Sequence, residues 1–308
     1  MKQVIDIIGE KYGIKLKKVT PVIQNNFAYN YILVDVMERE YYYRFCDDRK
    51  NIGLPIEEIY KIHNQFNEEN DVYIPKWFCT RDDNCVYSTL NNLHRYCLLE
   101  MLHGEEKEIG VYDIANALLK LHDYLLRVSI QYPNYSLVSL LSKNINTKDV
   151  PKDILDVLTM SKEKLYHLGV IEMFNTIPSQ IIHGDFHKNN IIKLKNRLGV
   201  IDFFNATYDA RIFDISDAQD LFKNKCDKNM LLDIYIDRMK ISRLENYLLQ
   251  FCKPIKSIVF LMQVCENYRF NIRLKGAKET VTDSLSTLKI FLGEKNYGYW
   301  YYRELIYK

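Results

Sequence analysis

The sequence predicts an α+β fold, with a small N-terminal lobe of antiparallel strands and a larger, mostly helical C-terminal lobe. Short segments rich in Val, Ile and Tyr, separated by polar turns, occupy most of the first hundred residues. After Gly104 the apolar residues recur at helical spacing, and a single β-rich island at 180–202 interrupts them. We therefore expect one lobe over 1–102 and a second over 103–308, with a ligand cleft between them.

The N-terminal lobe begins with a short amphipathic helix within 1–13 and continues as a meander of three strands. These strands are predicted where β-branched and aromatic residues cluster between polar turns, at 18–23, 29–36 and 40–45. Pro55 then begins a helix, because proline fits the first helical turn and apolar residues follow it at helical spacing. Two more strands, at 74–80 and 85–90, and an apolar run at 95–102 complete this lobe.

The C-terminal lobe is predicted to be helical on both sides of the β-rich island. A helix around 111–125 presents one apolar face, a second runs over 153–168, and further helices fill 214–294. The island consists of two short strands around a polar loop, followed by a strand that ends in a carboxylate. Polar residues between buried strands are costly unless they are paired or bind a ligand, so this loop is the candidate functional site.

The composition excludes several classes of protein. The chain has 42 Lys and Arg against 40 Asp and Glu, and a net charge of +2 gives no electrostatic footprint for nucleic acid or a membrane surface. No run of about 18 apolar residues appears, so no membrane span is expected. The seven cysteines are scattered and form no CxxC pair. We therefore expect free thiols and a cytoplasmic protein, not a disulfide framework or a zinc site.

Three side chains of the island fit the chemistry of phosphoryl transfer. Asp185 and Asn190 lie five residues apart on the polar loop, and Asp202 ends the strand that follows. The arrangement brings two carboxylates and an amide oxygen to one end of a small sheet, and such hard oxygen ligands suit Mg²⁺. Phosphoryl transfer uses the same parts, namely a loop Asp that orients the accepting hydroxyl, an Asn five residues later and a metal-binding Asp.

The island and the residues after it read HGDFHKNN at 183–190, IDFFNA at 201–206 and DIS at 214–216. These segments resemble the HGDxHxxN, IDFxxA and DLA-like motifs of the aminoglycoside phosphotransferase and choline kinase superfamily. The resemblance implies a protein-kinase-like two-lobe fold over nearly the whole chain, with Mg²⁺ and ATP, or GTP, as cofactors. It also implies that Asp185 is catalytic, that Asn190 and Asp202 bind the metal, and that His183 and His187 brace the loop.

The same resemblance assigns nucleotide binding to the N-terminal lobe. Arg44, on the third strand, takes the place of the usual phosphate-binding lysine, and Glu58 is its expected carboxylate partner, with Glu57 as the alternative. The loop over the phosphates contains Asn26 but no glycine, so phosphate contacts and an ordinary hairpin turn fit it equally well. The segment LEML at 99–102 resembles the hinge whose backbone binds adenine, and its candidate residues are Glu100 and Leu102.

The acceptor is less sharply defined by the sequence. Relatives phosphorylate hydroxyl groups on amino sugars, amino alcohols or small amino acids, so the resemblance implies an amine-bearing acceptor. A cationic acceptor needs carboxylates or aromatic faces near the catalytic Asp. The candidate acceptor-binding residues are Asp209, Asp217, Glu266 and Tyr268. The aromatic residues at 297–302 are a further candidate, although such a terminal cluster also fits the packing of a last helix.

We therefore predict an ATP- and Mg²⁺-dependent kinase that phosphorylates a hydroxyl of a small, amine-bearing molecule, such as an aminoglycoside, choline, ethanolamine or a homoserine-like compound. Gly184 stands where protein kinases carry Arg, and the short spacing from Asp202 to Asp214 leaves no room for a long activation loop. A metal phosphoesterase would need further His and Asp clusters. The competing hypothesis is a non-catalytic nucleotide-binding pseudokinase or scaffold, favoured by the glycine-free loop and by Arg44.

Overall fold

The computed structural model confirms the α+β fold, with an antiparallel N-terminal sheet and a mostly helical C-terminal part. The structure describes residues 2–22, 28–47, 53–66, 72–88, 94–105, 108–129, 136–145, 147–266, 268–273 and 276–293. The predicted lobe boundary between 102 and 103 stays a prediction. One N-terminal strand, Val72–Tyr73, already pairs with a strand of the C-terminal part, so the two parts share backbone hydrogen bonds.

Short strands make up most of the N-terminal part. They are β1 Leu16–Val22, β2 Ala28–Asp35, β3 Glu40–Asp47, β4 Val72–Tyr73, β5 Trp77–Phe78, β6 Tyr87–Ser88 and β7 His94–Glu100. All except β4 belong to one antiparallel sheet in the order β1-β2-β3-β7-β5, with β6 beside β7. Alternation along β3 buries Tyr41 and Tyr43 on one face and places Arg44 on the other. Arg44 therefore faces the candidate site.

Helices cover both faces of this sheet. Helix α1 (Lys2–Ile7) and the π-helical turn after it (Ile8–Tyr12) lie on the face that carries Tyr41 and Tyr43. The small core there comprises Val4, Ile8, Leu33, Tyr41, Tyr43, Tyr96 and Leu98. Helix α2 (Ile56–Gln65) begins directly after Pro55, as predicted, and joins the large core on the opposite face. Burial of apolar surface on both faces fixes the position of β3.

The segment between α2 and β7 differs from the prediction. Strands were expected at 74–80 and 85–90, but within the described residues only Trp77–Phe78 and Tyr87–Ser88 pair in the main sheet. Pro75 has no amide hydrogen for a ladder, and a turn at 80–84 is closed by a hydrogen bond from the Thr80 amide to the Asn84 carbonyl. A disulfide joins Cys79 to Cys85 across this turn, so the expectation of thiols throughout was wrong here.

The C-terminal part is built mainly from helices. Its helices are α3 Val111–Leu125, α4 Leu137–Leu140, α5 Lys152–His167, α6 Val170–Phe174, α7 Ile212–Gln219, α8 Lys225–Met239, α9 Arg243–Glu266, α10 Tyr268–Asn271 and α11 Ala277–Leu292. The long predicted helices at 111–125 and 153–168 are present. The large core runs without interruption from α2 through these helices to α11. Close packing of this core holds the elements around the polar loop in fixed positions.

The β-rich island pairs differently from the simple hairpin that the sequence indicated. Its strands are β8 Gln180–Ile182, β9 Ile191–Lys193, β10 Leu198–Val200 and, beyond the predicted island, β11 Thr207–Asp209. The two strands that flank the polar loop do not pair with each other within the described residues. Instead β8 pairs with β11, and β9 pairs with β10, which also pairs with β4. The loop at 183–190 therefore crosses from one small sheet to another.

Helix α9 is the central helix of the C-terminal part. Ser242 and Glu245 form a capping box, in which each residue's backbone amide donates to the other's side chain, at 2.9 and 3.1 Å. Glu245 also accepts a hydrogen bond from Arg211 Nε at 3.0 Å, which ties α9 to the turn before α7. Helix α9 is long and apolar enough to cross a membrane, but 67% of its apolar window is buried inside the protein. That burial is typical of the core helix of a globular protein.

We predict that Glu245→Ala lowers the free energy of unfolding by about 3–5 kcal/mol, because the buried Arg211 guanidinium is left without its carboxylate. The measurement is the urea midpoint of the variant against that of wild type. Glu279→Ala, an exposed glutamate in the first turn of α11, is the matched control and should cost under about 1 kcal/mol. Equal losses in the two variants would contradict the role assigned to the Arg211–Glu245 pair.

Candidate active site

A buried carboxylate holds the polar loop in place. Asp214, in the first turn of α7, accepts the backbone amides of His183 at 2.7 Å and of Gly184 at 2.8 Å. Its side chain is fully buried and also contacts His122 Nε2 at 3.0 Å, while His122 Nδ1 contacts the Tyr235 hydroxyl. Burial alone would raise the pKa of Asp214, but the hydrogen bond and charge of His122 hold it below its usual range. The loop therefore rests on an ionised carboxylate.

Gly184 allows the loop to pass very close to the segment after Asp202. Its φ is +79°, a left-handed conformation that favours glycine. A Cβ atom at this position would lie 2.1 Å from the carbonyl oxygen of Asn205. Any side chain at 184 would push the two segments apart, which explains why the Arg of protein kinases is replaced by Gly here.

Asp185 is surrounded by donors and cations. Its Oδ2 accepts hydrogen bonds from Asn190 Nδ2 at 3.2 Å and from Asn205 Nδ2 at 3.1 Å, and its Oδ1 lies 3.4 Å from His187 Nε2. Burial acts to raise the pKa of Asp185, but the hydrogen bond to His187 and the positive charge of Lys256 outweigh it. The pKa of Asp185 is consequently well below its usual range, and that of His187 is raised by the same contact. Asp185 is thus a fixed, ionised carboxylate.

Asp202 lies next to Asn190 because the residue before it, Ile201, is hydrogen bonded to the backbone of Asn190. The amide of Ile201 donates to the carbonyl of Asn190 at 3.0 Å, which places the following residue, Asp202, beside the loop. Asp202 has φ +63°, an unusual conformation for a residue other than glycine and one that concentrates at functional sites. Its Oδ1 accepts a hydrogen bond from Arg44 Nη1 at 3.0 Å.

The donor set at this position fits a hard divalent cation. The amide nitrogen of Asn190 is engaged by Asp185, which leaves the amide oxygen to face a metal, and Asp202 contributes a carboxylate. Among the described residues no group of three or more His, Cys, Asp or Glu side chains is arranged as a metal site. Mg²⁺ in phosphoryl-transfer enzymes is typically held by one or two side chains together with substrate phosphates and waters. Asn190 and Asp202 are sufficient for that mode.

Arg44 is held between Asp202 and an aromatic ring. Its guanidinium carbon lies 3.9 Å from the centre of the Phe204 ring, which is buried and in turn contacts Trp77. A cation stacked on an aromatic face is stabilised by the ring quadrupole, and a planar guanidinium suits this contact better than an ammonium group. Phe204 therefore orients the guanidinium group of Arg44.

The expected pair between Arg44 and Glu58 is not formed. Glu58 is buried and its Oε1 accepts a hydrogen bond from Lys61 at 2.7 Å, whereas Oε2 lacks a hydrogen-bond partner. The alternative, Glu57, forms an ion pair with Arg95 at 3.2 Å. Asp202 takes the expected place of a glutamate beside Arg44. Asn26 lies outside the described residues, and its assignment stays a prediction.

The hinge candidates lie where the main sheet meets the C-terminal part. Glu100 ends β7, and its carboxylate accepts hydrogen bonds from the Tyr73 hydroxyl at 2.5 Å and from the Lys76 amide at 3.2 Å. Leu102 packs over Gly199 of β10, where a Cβ atom would lie 3.0 Å from Leu102 Cδ1. The Glu100 side chain is therefore used structurally, and its proposed part in nucleotide binding rests on the backbone.

A column of four rings connects the N-terminal part to the catalytic loop. His183 contacts Phe203 at 4.5 Å between ring centres, Phe203 contacts His63 at 5.0 Å, and His63 contacts Trp77 at 5.6 Å. Burial lowers the pKa of His63 to about 4, so this ring is neutral at physiological pH. These contacts fix α2 and β5 relative to His183, two residues before Asp185, and relative to Phe203, directly after Asp202.

A cleft of about 270 Å³ opens beside the catalytic loop. Its lining residues are His187, Lys188, Asn189, Asp217, Asp220 and Leu221. Asp217, predicted as an acceptor ligand, lies on its wall and forms an ion pair with Lys256 of α9. Lys256 Nζ also donates to the carbonyl of Gly184 at 2.7 Å, so α9 contacts the loop directly. Burial raises the pKa of Asp217 to about 6, although Lys256 acts in the opposite direction.

The other predicted acceptor residues lie elsewhere. Asp209 is buried, and it accepts hydrogen bonds from the Leu137 amide at 2.7 Å, the Ser136 hydroxyl at 3.0 Å and the Ala210 amide at 2.8 Å. These bonds give Asp209 a structural role at the start of α4. Glu266 ends α9, roughly 15 Å along the helix from Lys256, and Tyr268 begins α10. The structure brings neither of these two to Asp185.

Comparison with known proteins identifies the family. The sequence profile of the phosphotransferase enzyme family matches residues 28–234, which include the catalytic loop, Arg44 and Asp202. The chain belongs to this family. The resemblance to aminoglycoside phosphotransferases and choline kinases is therefore confirmed, and the protein is an enzyme, a small-molecule phosphotransferase with a hydroxyl acceptor. No curated protein matches the sequence of this phosphotransferase.

Solved structures share the fold of this phosphotransferase at low sequence identity. The microcompartment-associated aminopropanol kinase has a TM-score of 0.68 and 15% identity, covering 95% of this chain and 97% of that one. The amicoumacin kinase hAmiN, in complex with AMP-PNP, Ca²⁺ and Ami, has a TM-score of 0.67 and 10% identity, covering 97% and 96%. A thermostable mutant of the aminoglycoside phosphotransferase APH(4)-Ia, in a ternary complex with ADP and hygromycin B, has a TM-score of 0.60 and 10% identity, covering 96% and 98%.

Several residues of the site were not found by reading the sequence. Asp214 belongs to the DIS segment at 214–216, but the sequence does not predict its hydrogen bonds to the loop. The sequence does not predict the hydrogen bond from Asn205 to Asp185 either. Lys256 lies in a long helix without a local motif. It is one of several charged residues on that helix, and nothing in the sequence indicates which loop its charge contacts.

We predict that the pH dependence of stability changes in Asp209→Asn. Burial raises the pKa of Asp209 from 3.8 to about 6, so the neutral carboxyl favours folding below about pH 4 and this contribution is lost as the pH rises through 6. The difference in unfolding free energy between wild type and variant should fall by up to ~3 kcal/mol from pH 4 to pH 7. Urea titrations at both pH values measure it, with exposed Asp156→Asn as reference. A constant difference would contradict the assignment.

We predict that Phe204→Leu weakens binding of magnesium AMP-PNP about fivefold, because Arg44 loses its stacking partner. Arg44→Lys should weaken binding by a similar factor, and the double variant should lose less than the product of the two, since both changes remove one contact. Titration calorimetry measures all three. Phe291→Leu is a matched control, because Lys164 lies over that ring at 4.8 Å, far along the chain from the site. Additive losses would contradict the stacking role.

Proposed function

We propose that this phosphotransferase transfers the γ-phosphoryl group of ATP, with Mg²⁺, to a hydroxyl of a small, amine-bearing molecule. The observation that supports it best is the fixed position of Asp185, between the amide groups of Asn190 and Asn205, beside a cleft of acceptor size. An ionised carboxylate held in this way orients a hydroxyl by accepting its hydrogen bond. The enzyme needs little further chemistry, because phosphoryl transfer depends mainly on positioning and charge.

The nucleotide is proposed to bind between the main sheet and the catalytic loop. Arg44 can clamp two phosphate oxygens with one guanidinium group, and Phe204 fixes the plane of that group. Asn190 and Asp202 would hold the metal, which when bound neutralises charge on the phosphate oxygens. AMP-PNP and ADP occupy solved structures of the same fold, which supports ATP, and GTP is the alternative, because hinge contacts would come from the backbone at 100–102.

The remaining assignments are proposed on the same basis. Asp217 lines the cleft and is the proposed acceptor ligand, and Glu266 and Tyr268 would reach only a larger acceptor. An amine on the acceptor is supported by two structural neighbours, an aminopropanol kinase and an aminoglycoside phosphotransferase in complex with hygromycin B. We place the enzyme in the cytoplasm, where ATP is available. Its expected partner is the small acceptor.

The proposal is tested by acceptor-dependent ADP release with magnesium ATP and magnesium GTP. The panel contains choline, ethanolamine, homoserine and several aminoglycosides, each assayed with wild type and Asp185→Asn. We expect turnover with at least one acceptor, reduced about a hundredfold or more in the variant, because a neutral amide orients the hydroxyl proton poorly.

Two controls make the result interpretable. Asp156→Asn, an exposed aspartate on α5, should keep full activity. Asp185→Asn should retain its melting temperature and its affinity for magnesium AMP-PNP, so that lost turnover is separated from lost folding. Equal turnover in wild type and Asp185→Asn would refute the role of Asp185, and no binding of any nucleotide would refute the kinase function.

A further inference from the structure

The cleft beside Asp185 has two carboxylates on its wall, and both are already neutralised by lysines. Asp217 is mostly buried, with a side-chain exposure of 15%, and it forms an ion pair with Lys256. Asp220, nearer the mouth, accepts a hydrogen bond from Lys253 at 2.5 Å and lies 3.6 Å from Lys228. Ion-paired carboxylates attract an incoming ammonium group much less than unpaired ones, because that group must displace the resident lysines or approach against their positive charge.

The cleft also contains a cation without a carboxylate partner. Lys188 lies three residues after Asp185, is exposed, and lines the same wall as Asp217 and Asp220. In the part of the chain that the structure describes, Lys188 forms no ion pair, unlike the three lysines around Asp217 and Asp220. Lys188 can therefore bind an anionic group of a ligand at no cost of breaking an existing contact.

Among the described residues that line the cleft, Lys188 carries the one charge that is not paired. Asp217 is paired with Lys256, Asp220 with Lys253 and Lys228, and His187 with Asp185, so these charges largely offset one another. A site for a purely cationic acceptor would present an unpaired carboxylate instead, since like charges at close range are repelled. Lys256 contacts one oxygen of Asp217, so the other oxygen can still accept a hydrogen bond from an amine. A paired carboxylate does not, however, strongly favour binding of a bare cation.

We infer that the acceptor carries an anionic group, such as a carboxylate, close to the hydroxyl that is phosphorylated, and that Lys188 binds this group. The inference rests on the proposed function and makes it more specific: the acceptor class is a hydroxy acid or a hydroxy amino acid, not a simple amino alcohol. The volume of about 270 Å³ suits a molecule of that size. Lys188 is a specificity-determining residue that contacts the acceptor, separate from the metal ligands Asn190 and Asp202.

The test uses three pairs of compounds whose members differ only by a carboxylate. They are serine and ethanolamine, homoserine and 3-amino-1-propanol, and threonine and 1-amino-2-propanol. Binding of each to the protein saturated with magnesium AMP-PNP is measured by calorimetry, which needs no turnover. We expect the carboxylate member of at least one pair to bind about tenfold more tightly than its partner, which corresponds to one charge-assisted contact.

Charge reversal at Lys188 then identifies the contact. Lys188→Glu should abolish or invert the preference within the pair, while the affinity for magnesium AMP-PNP stays within about twofold of wild type. Lys195→Glu, an exposed lysine at the tip of the β9–β10 hairpin, makes the same change in net charge away from the cleft and should leave the preference intact. Lys188→Gln, which removes the charge without reversing it, should give an intermediate preference.

The outcomes separate this inference from the proposed function. Amine members that bind as tightly as their carboxylate partners, or no binding by any compound of the three pairs, would overturn the anionic acceptor. Turnover with an aminoglycoside unaffected by Lys188→Glu would do the same and leave the kinase function intact. A Lys188→Glu variant that loses nucleotide affinity would assign Lys188 to the transferred phosphate instead. Loss of all nucleotide binding in wild type would refute the proposed function itself.

Discussion

The buried carboxylate of Asp214 is the interaction on which the catalytic loop depends. Two consecutive backbone amides, those of His183 and Gly184, donate to its two oxygens, and a buried carboxylate that accepted neither would be very costly. His122 and the Tyr235 hydroxyl extend this network into α3 and α8. The hydrogen bonds to Asp214 fix the direction in which the chain leaves β8. The position of Asp185 therefore depends on a buried carboxylate beneath the loop.

Local sequence patterns predicted much of the fold, but not its long-range pairings. The N-terminal meander, α2 after Pro55 and the loop that carries Asp185 and Asn190 all follow from residues close together in the chain. The pairing of β8 with β11 and the contact of Arg44 with Asp202 could not be predicted in this way, because they join distant segments. The family resemblance predicts Glu58 as the partner of Arg44, whereas Arg44 pairs with Asp202 and stacks on Phe204.

The residues that line the cleft and the lysines of α9 that pair with its carboxylates come from different parts of the chain. The family profile ends at residue 234, so it includes Asp185, Asn190 and Asp202 but neither Lys253 nor Lys256 of α9. Those two lysines neutralise Asp220 and Asp217 and thereby set the charge of the cleft. Lys256 also donates to the carbonyl of Gly184, so the helix that sets the charge of the cleft is in direct contact with the loop that carries Asp185.

The distance along the chain between contacting residues also has a consequence for folding. Arg44 and Asp202 lie 158 positions apart, and the ring column joins His63 and Trp77 to Phe203 and His183. Closing such large loops is entropically unfavourable until much of the core has formed, and contacts of this kind slow folding. The active site is therefore expected to assemble late. A partly synthesised or partly unfolded chain would contain most of the helices and still have no means of holding a phosphate.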